Sequence, residues 1–284
     1  MPTVTKTTMK ASKPSGGILS RITPVASIEK KVKLLVYGRS KTGKTRLFST
    51  FPKKALLIGT EDGTNSIADS SGVDFVKVNT SEEFGELVSY LRSEGRYSSA
   101  CLDTGGGLQD IIVKEVLDLD EVPVQRSYGM GSGKFKDGRQ MWGVVGMQFK
   151  EHVNRFLKLA EDGVIHVVII AHERNFNDEG GGHELMTPTV GAALTPSVTG
   201  WLNGACDYIC QAYIREETVT AKIKIPGKGE VDQTKKTGKA EYCLRIGSHP
   251  IYITGFRVPR KIGELPDCIV DPDYDKIQRI IKGA

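Results

Sequence analysis

The segment GRSKTGKT, residues 38–45, constrains the fold of this chain more than any other part of its 284 residues. It matches the pattern GxxxxGK[ST] through Gly38, Gly43, Lys44 and Thr45, and it lies between the apolar run VKLLVY and the helix-like run RLFSTF. A strand, a glycine-rich turn and a helix in this order let successive backbone N–H groups converge on phosphate groups. The glycines permit a close approach that a side chain would block. The segment therefore predicts a phosphate-binding loop; the alternative is a surface turn that caps a helix.

A nucleotide bound in this loop would meet one cation and one hydroxyl group. Lys44 would reach the β- and γ-phosphates, and the Thr45 hydroxyl would bind Mg²⁺. The residues that we expect to contact the nucleotide are Gly38, Arg39, Ser40, Lys41, Thr42, Gly43, Lys44, Thr45 and Arg46.

Short apolar runs alternate with helix-like segments from Val32 to about residue 205. The apolar runs are KLLVYG, ALLIGT, DFVKVN, SACLD and HVVIIAH. The segments between them space their apolar residues three and four apart, as amphipathic helices do. This alternation predicts an α/β fold with a mostly parallel central sheet. Beyond residue 205, the β-rich runs DYICQAYIREETVTAKIKI, AEYCLRIG and IYITGF predict an antiparallel extension of that sheet.

Composition divides the chain into three regions. Residues 1–30 are rich in Thr, Ser, Pro, Gly and Lys and show no periodicity, which predicts a flexible basic arm. Residues 31–265 contain the alternating elements and form the predicted core. Residues 266–284 end in YDKIQRIIKG, which predicts a C-terminal helical tail.

Composition also excludes several classes of protein. The chain is 39% hydrophobic and 26% charged, as globular proteins are. No window reaches the roughly 18 to 20 consecutive apolar residues of a membrane span, and Met1–Lys30 lacks the apolar core of a signal peptide. Five cysteines without a CxxC pair indicate reduced thiols. We therefore expect a cytoplasmic protein without a membrane partner, and the net charge of +5 permits a nucleic-acid partner.

Asp103 ends the apolar run SACLD and precedes three glycines. A carboxylate at the end of a strand after the phosphate-binding loop is where the second Mg²⁺ ligand of such a site belongs. Asp103 is therefore the predicted partner of Thr45 in holding Mg²⁺. The alternative is that it initiates a turn, since LDTGGG is also favourable turn chemistry.

The next strand after the loop ends in Glu61, and here the sequence resembles the RecA family. The order also matches: loop, helix, strand ending in glutamate, strand and helix, strand ending in Asp103, helix, and a strand ending in His172. The resemblance implies that Glu61 orients and deprotonates the attacking water, and that His172 senses the γ-phosphate. The residue after Asp103 is Thr104 rather than a glutamate, which argues against the usual AAA+ arrangement.

Two glycine-rich segments are candidate DNA-binding loops. The segment RSYGMGSGKFKDGRQMWG, residues 126–143, combines cations for phosphate with aromatic rings for base stacking, which favours single-stranded nucleic acid over a merely flexible basic loop. Its candidate contacts are Arg126, Tyr128, Lys134, Phe135, Lys136 and Arg139. Residues 174–200 follow His172 and predict a second functional loop.

Residues 32 to about 265 resemble the phage-encoded, RecA-core ATPases grouped with the Sak-type single-strand annealing recombinases. The resemblance implies a RecA-like P-loop NTPase core and a Mg²⁺-dependent, DNA-stimulated ATPase that binds single-stranded DNA in recombination or replication. It also implies a homo-oligomer or filament with ATP at the subunit junction, in the host-cell cytoplasm, with a single-strand binding protein as a further candidate partner. The candidate cations from a neighbouring subunit are Arg257, Arg260 and Lys261.

Other classes remain open on the sequence. A P-loop kinase acting on a small molecule or nucleotide would share the loop, and the arginines of residues 126–139 could imitate its lid. A nucleotide-dependent scaffold that does not hydrolyse ATP would follow if Glu61 pointed away from the site. A GTPase is disfavoured because no NKxD-type motif occurs.

Overall fold

The computed structural model describes residues 22–24, 30–61, 64–119, 138–176, 189–225, 229–259 and 263–283. The chain divides into two units, Met1–Lys30 and Lys31–Ala284. Of the first unit only residues 22–24 and Lys30 are described. No helix within the described ranges is long and apolar enough to cross a lipid bilayer.

Strands and helices alternate through most of the second unit. Its strands are β1 (Lys33–Gly38), β2 (Ala55–Gly59), β3 (Val73–Lys77), β4 (Ser99–Asp103), β5 (His166–Ala171), β6 (Glu173–Phe176), β7 (Thr189–Ala192), β8 (Tyr208–Ile225), β9 (Gly229–Arg245), β10 (Gly255–Phe256) and β11 (Cys268–Val270). Its helices are α1 (Lys44–Ser49), α2 (Ser81–Glu94), α3 (Gly105–Leu117), α4 (Gly138–Glu161), α5 (Pro196–Ala205) and α6 (Tyr274–Lys282).

One sheet carries nine of these strands, in the order β11-β9-β8-β1-β5-β4-β2-β3, with β10 paired to β8. The strands from β8 to β3 are parallel to their neighbours, whereas β9, β10 and β11 pair antiparallel. The predicted α/β class and the antiparallel extension are confirmed. Strand β5 lies between β1 and β4, so the phosphate loop and Asp103 follow strands that are not neighbours.

Helices cover both faces of the sheet. Successive residues of β1 alternate between two apolar clusters, with Leu35 and Tyr37 in one and Leu34 and Val36 in the other. The first cluster includes buried side chains of α2, α3, α4 and α5, and the second includes those of α1 and α6. Because both faces are buried, the central strands are continuous apolar runs rather than alternating ones.

The segment at 174–200, expected as a loop, contains regular structure. Its first part belongs to β6, which pairs antiparallel with β7. Its last part begins α5, where Pro196 occupies the first turn and Thr195 is the N-cap. A proline is well tolerated there because the first N–H groups of a helix have no intrahelical partner. Pro196, one of the prolines that indicated a loop, therefore marks the start of a helix.

Two further segments differ in detail from the expectation. Helix α4 begins at Gly138, so Arg139 of the candidate DNA-binding loop lies in the first turn of a helix. Residues 266–284 contain β11, which pairs with β9, as well as helix α6. Ile277 of α6 is fully buried in the apolar cluster shared with α1.

Candidate active site

The loop between β1 and α1 closes around the side chain of Lys44. The Nζ atom of Lys44 donates hydrogen bonds to the carbonyl oxygens of Gly38 at 2.9 Å and Arg39 at 2.7 Å. The side chain is nearly buried, and this burial lowers the pKa of Lys44, although Asp103 nearby opposes the shift. The ammonium group is therefore held in place at the centre of the loop before any phosphate arrives.

Two glycines of the loop are required by its geometry. Gly43 has φ of 83°, a left-handed conformation that favours glycine. A Cβ atom on Gly38 would lie 2.2 Å from the carbonyl oxygen of Ala212 in β8. A side chain at either position would distort the loop or separate it from the sheet.

Thr45 and Asp103 meet at the mouth of the loop. The Thr45 hydroxyl donates a hydrogen bond of 2.8 Å to Oδ2 of Asp103, although 58 positions separate the two residues. Burial raises the pKa of Asp103, and the hydrogen bond from Thr45 and the charge of Lys44 counteract that rise. Hydroxyl and carboxylate oxygens are the ligands that Mg²⁺ takes from proteins alongside phosphate and water oxygens. The donor set at this position therefore fits one Mg²⁺ ion.

The ends of β2 and β4 are tied together by Thr60. Its hydroxyl accepts a hydrogen bond of 3.0 Å from the Thr104 amide, and its own amide donates one of 2.9 Å to the carbonyl oxygen of Asp103. A Cβ atom on Gly107 would lie 2.0 Å from Oγ1 of Thr60, so the glycine run after Asp103 makes room for this contact. Glu61, the residue after Thr60, lines the same cavity as Asp103.

One cavity of about 590 Å³ gathers most of the predicted catalytic and loop residues. Burial is the main cause of the raised pKa of Asp103; Glu61 raises that pKa further and His172 lowers it, which indicates that both lie near Asp103. The lining residues are Ser40, Lys41, Gly43, Lys44, Thr45, Arg46, Leu57, Gly59, Glu61, Asn65, Ser66, Phe75, Asp103, Thr104, His172 and Tyr242.

The structure adds Tyr242, Phe75 and Gln211 to the residues that the sequence singled out, and it shows the partners of Glu173. Tyr242 of β9 and Phe75 of β3 supply aromatic rings to the cavity. Glu173, directly after His172, accepts a hydrogen bond of 2.9 Å from Nε of Arg39, and Gln211 of β8 donates to it at 3.3 Å. These residues come from strands distant in the chain, so no local pattern near the loop could have indicated them.

The candidate cation Arg257 lies away from the cavity. Its Nη1 atom donates to Asp207 at 2.7 Å and its Nη2 atom to the carbonyl oxygen of Gly204 at 2.8 Å. Asp207 precedes β8 and donates its amide to Lys33, at the amino end of β1, whereas the phosphate loop follows the carboxyl end. Arg257 is thus held near the amino ends of the strands, whereas its own phosphate loop follows the carboxyl end of β1. Arg260 and Lys261 lie outside the described residues.

The predicted DNA-binding contacts fall mostly outside the described residues. Arg126, Tyr128, Lys134, Phe135 and Lys136 belong to the part of the chain that the structure does not describe. Arg139 is exposed in the first turn of α4.

Replacing Asp103 by asparagine tests the Mg²⁺ assignment. The substitution keeps the size of the side chain but removes the charge that Mg²⁺ prefers, so we expect weaker nucleotide binding in the presence of Mg²⁺ and little change in its absence. Titration of nucleotide with Mg²⁺ and with a chelator measures both. An equal loss under the two conditions would contradict a role for Asp103 at the metal.

A family model described as an AAA domain matches residues 30–252. The matched region contains the whole phosphate loop, Glu61, Asp103 and His172. Thr104 follows Asp103 where the usual AAA+ arrangement has a glutamate. The match shows that this difference does not exclude an AAA domain. No curated protein matches the chain.

Proposed function

We propose that this chain, which belongs to the AAA domain family, is a Mg²⁺-dependent ATPase whose nucleotide cycle is coupled to single-stranded DNA. The family membership and the phosphate loop make it a P-loop ATPase. The proposal adds the metal, the DNA and a role in phage recombination or replication. The observation that carries the catalytic part is the 2.8 Å contact between Thr45 and Asp103 beside Lys44 and Glu61.

In the proposed mechanism, the residues of the cavity have different roles in phosphoryl transfer. Lys44 and the loop amides bind the β- and γ-phosphates and balance charge that develops on them. Thr45 and Asp103 would hold Mg²⁺, which when bound would neutralise charge on the phosphate oxygens. Glu61 accepts a proton from the attacking water and orients it, and His172 donates a hydrogen bond toward the γ-phosphate.

The DNA-binding part of the proposal is supported by composition and by resemblance. The segment at 126–139 combines lysines and arginines with two aromatic rings among glycines. The resemblance to the Sak-type group supports recombination or replication of phage DNA and a homo-oligomer with ATP between subunits. Arg257, at the edge of the sheet opposite its own phosphate loop, fits a neighbour's site better than its own.

Measuring ATP turnover with and without single-stranded DNA tests the proposal. We expect turnover that requires Mg²⁺ and rises when an oligonucleotide is added. If DNA did not change the rate of ATP turnover, the ATPase assignment would stand and the proposed coupling to DNA would be wrong. Transfer of the γ-phosphate to a small acceptor would favour a kinase, and tight ATP binding without turnover would favour a scaffold.

Removing Lys134, Lys136 and Arg139 together tests the DNA contact. If these cations contact phosphates, we expect weaker single-strand binding and a flatter salt dependence, by about 0.7 in the log–log slope for each lost contact. Titration of a labelled oligonucleotide at several salt concentrations measures both, and ATP binding serves as the control for folding. An unchanged salt slope would contradict the assignment.

Replacing Tyr128 and Phe135 by leucine is the matched comparison for that triple variant. Stacking contributes roughly 1 to 3 kcal/mol per base and displaces no counterions. We therefore expect the affinity to fall while the salt slope stays at the wild-type value.

A further inference from the structure

An exposed apolar pair stands beside the phosphate loop. Ile214 of β8 and Tyr242 of β9 are directly opposite each other in the antiparallel ladder. The two residues are 43% and 37% exposed, unlike the buried apolar residues of the sheet. The Tyr242 carbonyl accepts a hydrogen bond of 2.8 Å from the amide of Asp271, so the backbone that carries the ring is fixed.

The ring of Tyr242 lies directly against the phosphate loop. Its Cδ1 atom is 3.2 Å, and its Cε1 atom 3.7 Å, from the position that a Cβ atom on Gly43 would occupy. The ring therefore rests on the loop by one edge, while part of its surface borders the cavity. A rigid, partly exposed aromatic ring beside a phosphate site is suited to contact the flat part of a nucleotide.

The position of the carboxylates indicates which end of a nucleotide faces this ring. Asp103 and Glu61 follow β4 and β2, on one side of β1 in the sheet, and they define the end at which the γ-phosphate is cleaved. Tyr242 belongs to β9, on the other side of β1. The second aromatic ring of the cavity, Phe75, lies on β3 with the carboxylates and packs against Gly59.

We infer that Tyr242, with Ile214 beside it, is the surface on which the nucleoside of the bound nucleotide packs. The inference rests on the proposed function, because it requires a nucleoside triphosphate in the loop. Stacking on a ring uses the face of the base, which all bases share, so it contributes affinity and does not distinguish adenine from guanine.

A comparison of ATP with inorganic tripolyphosphate tests the inference. Both ligands present three phosphates, but only ATP carries a nucleoside. In the full chain with Mg²⁺, we expect Tyr242→Leu to weaken ATP binding by roughly 5-fold to 150-fold and to leave tripolyphosphate binding unchanged. GTP should lose a similar factor. Tyr242→Phe should keep wild-type ATP affinity, since the ring remains, and thermal melting checks that both variants fold.

Phe75→Leu is the matched comparison at the opposite end of the cavity, and we expect it to weaken ATP binding less than Tyr242→Leu does. Unchanged ATP binding by Tyr242→Leu would overturn the inference, as would an equal loss of ATP and tripolyphosphate, which would make the ring a support for the loop. If Phe75→Leu lost ATP affinity and Tyr242→Leu did not, the base would pack on the β3 side of the cavity, and this result would also overturn the inference. Wild-type protein that binds neither ligand would overturn the proposed function and the inference with it.

Discussion

Replacing Lys44 by alanine is expected to abolish ATP hydrolysis and to weaken ATP binding severely. The Nζ atom of Lys44 is held by two loop carbonyls at 2.9 and 2.7 Å, so its charge lies where the β- and γ-phosphates would bind. Truncating one partner of a buried, hydrogen-bonded charge pair costs roughly 2 to 5 kcal/mol. Equilibrium binding of ATP and a phosphate-release assay measure the two effects.

Lys41→Ala is the matched control for that variant. Lys41 belongs to the same loop and lines the same cavity, but its side chain is exposed. We expect it to lose less binding and turnover than Lys44→Ala does, because an exposed cation is screened by solvent and salt. Wild-type turnover in Lys44→Ala, or an equal loss in the two variants, would remove the assignment of Lys44. Thermal melting of both variants separates a lost phosphate contact from an unfolded loop.

Glu61→Gln is expected to separate binding from chemistry. Glutamine keeps the shape of the side chain but is a far weaker proton acceptor, so ATP should still bind while turnover falls by a factor on the order of 10² to 10⁴. Binding is measured by titration and turnover by phosphate release, at saturating ATP and Mg²⁺.

Two other carboxylates serve as comparisons for Glu61. Glu173→Gln should keep turnover close to the wild type, because that carboxylate is bound to Arg39 and Gln211 rather than directed at a reacting water. Asp62 adjoins Glu61 in the chain but lies outside the described residues. If Asp62→Asn or Glu173→Gln carried the loss of turnover, the assignment of Glu61 as the base would be wrong.

Lys44→Ala and Glu61→Gln test two residues whose positions depend on different parts of the structure. Lys44 acts within a segment of eight residues whose conformation follows from its own glycines. In the proposed mechanism, the position of Glu61 depends on Thr60, which holds the end of β2 against the end of β4. A loss of turnover in Thr60 variants would therefore be an effect of position and not of chemistry.

Features that depend on neighbours in the chain can be predicted from the sequence alone. The phosphate loop follows from the glycine spacing between a strand and a helix, and the α/β class follows from the apolar periodicity. Parallel strands also place their carboxyl ends at one edge of a sheet, which is why Glu61, Asp103 and His172 could be expected at one site.

Which residues distant in the chain come into contact is seen only in the folded structure. Periodicity does not specify the order of strands, so the insertion of β5 between β1 and β4 had no local signal. The sequence predicted that Thr45 and Asp103 act together, but the direct 2.8 Å hydrogen bond between them is seen only in the fold. Tyr242 reaches Gly43 because β8 and β9 extend the sheet beside β1. Arg257 is held at the opposite edge because Asp207 precedes the strand that pairs with β1. Local chemistry is encoded in short segments, whereas contacts between segments depend on how the whole sheet packs.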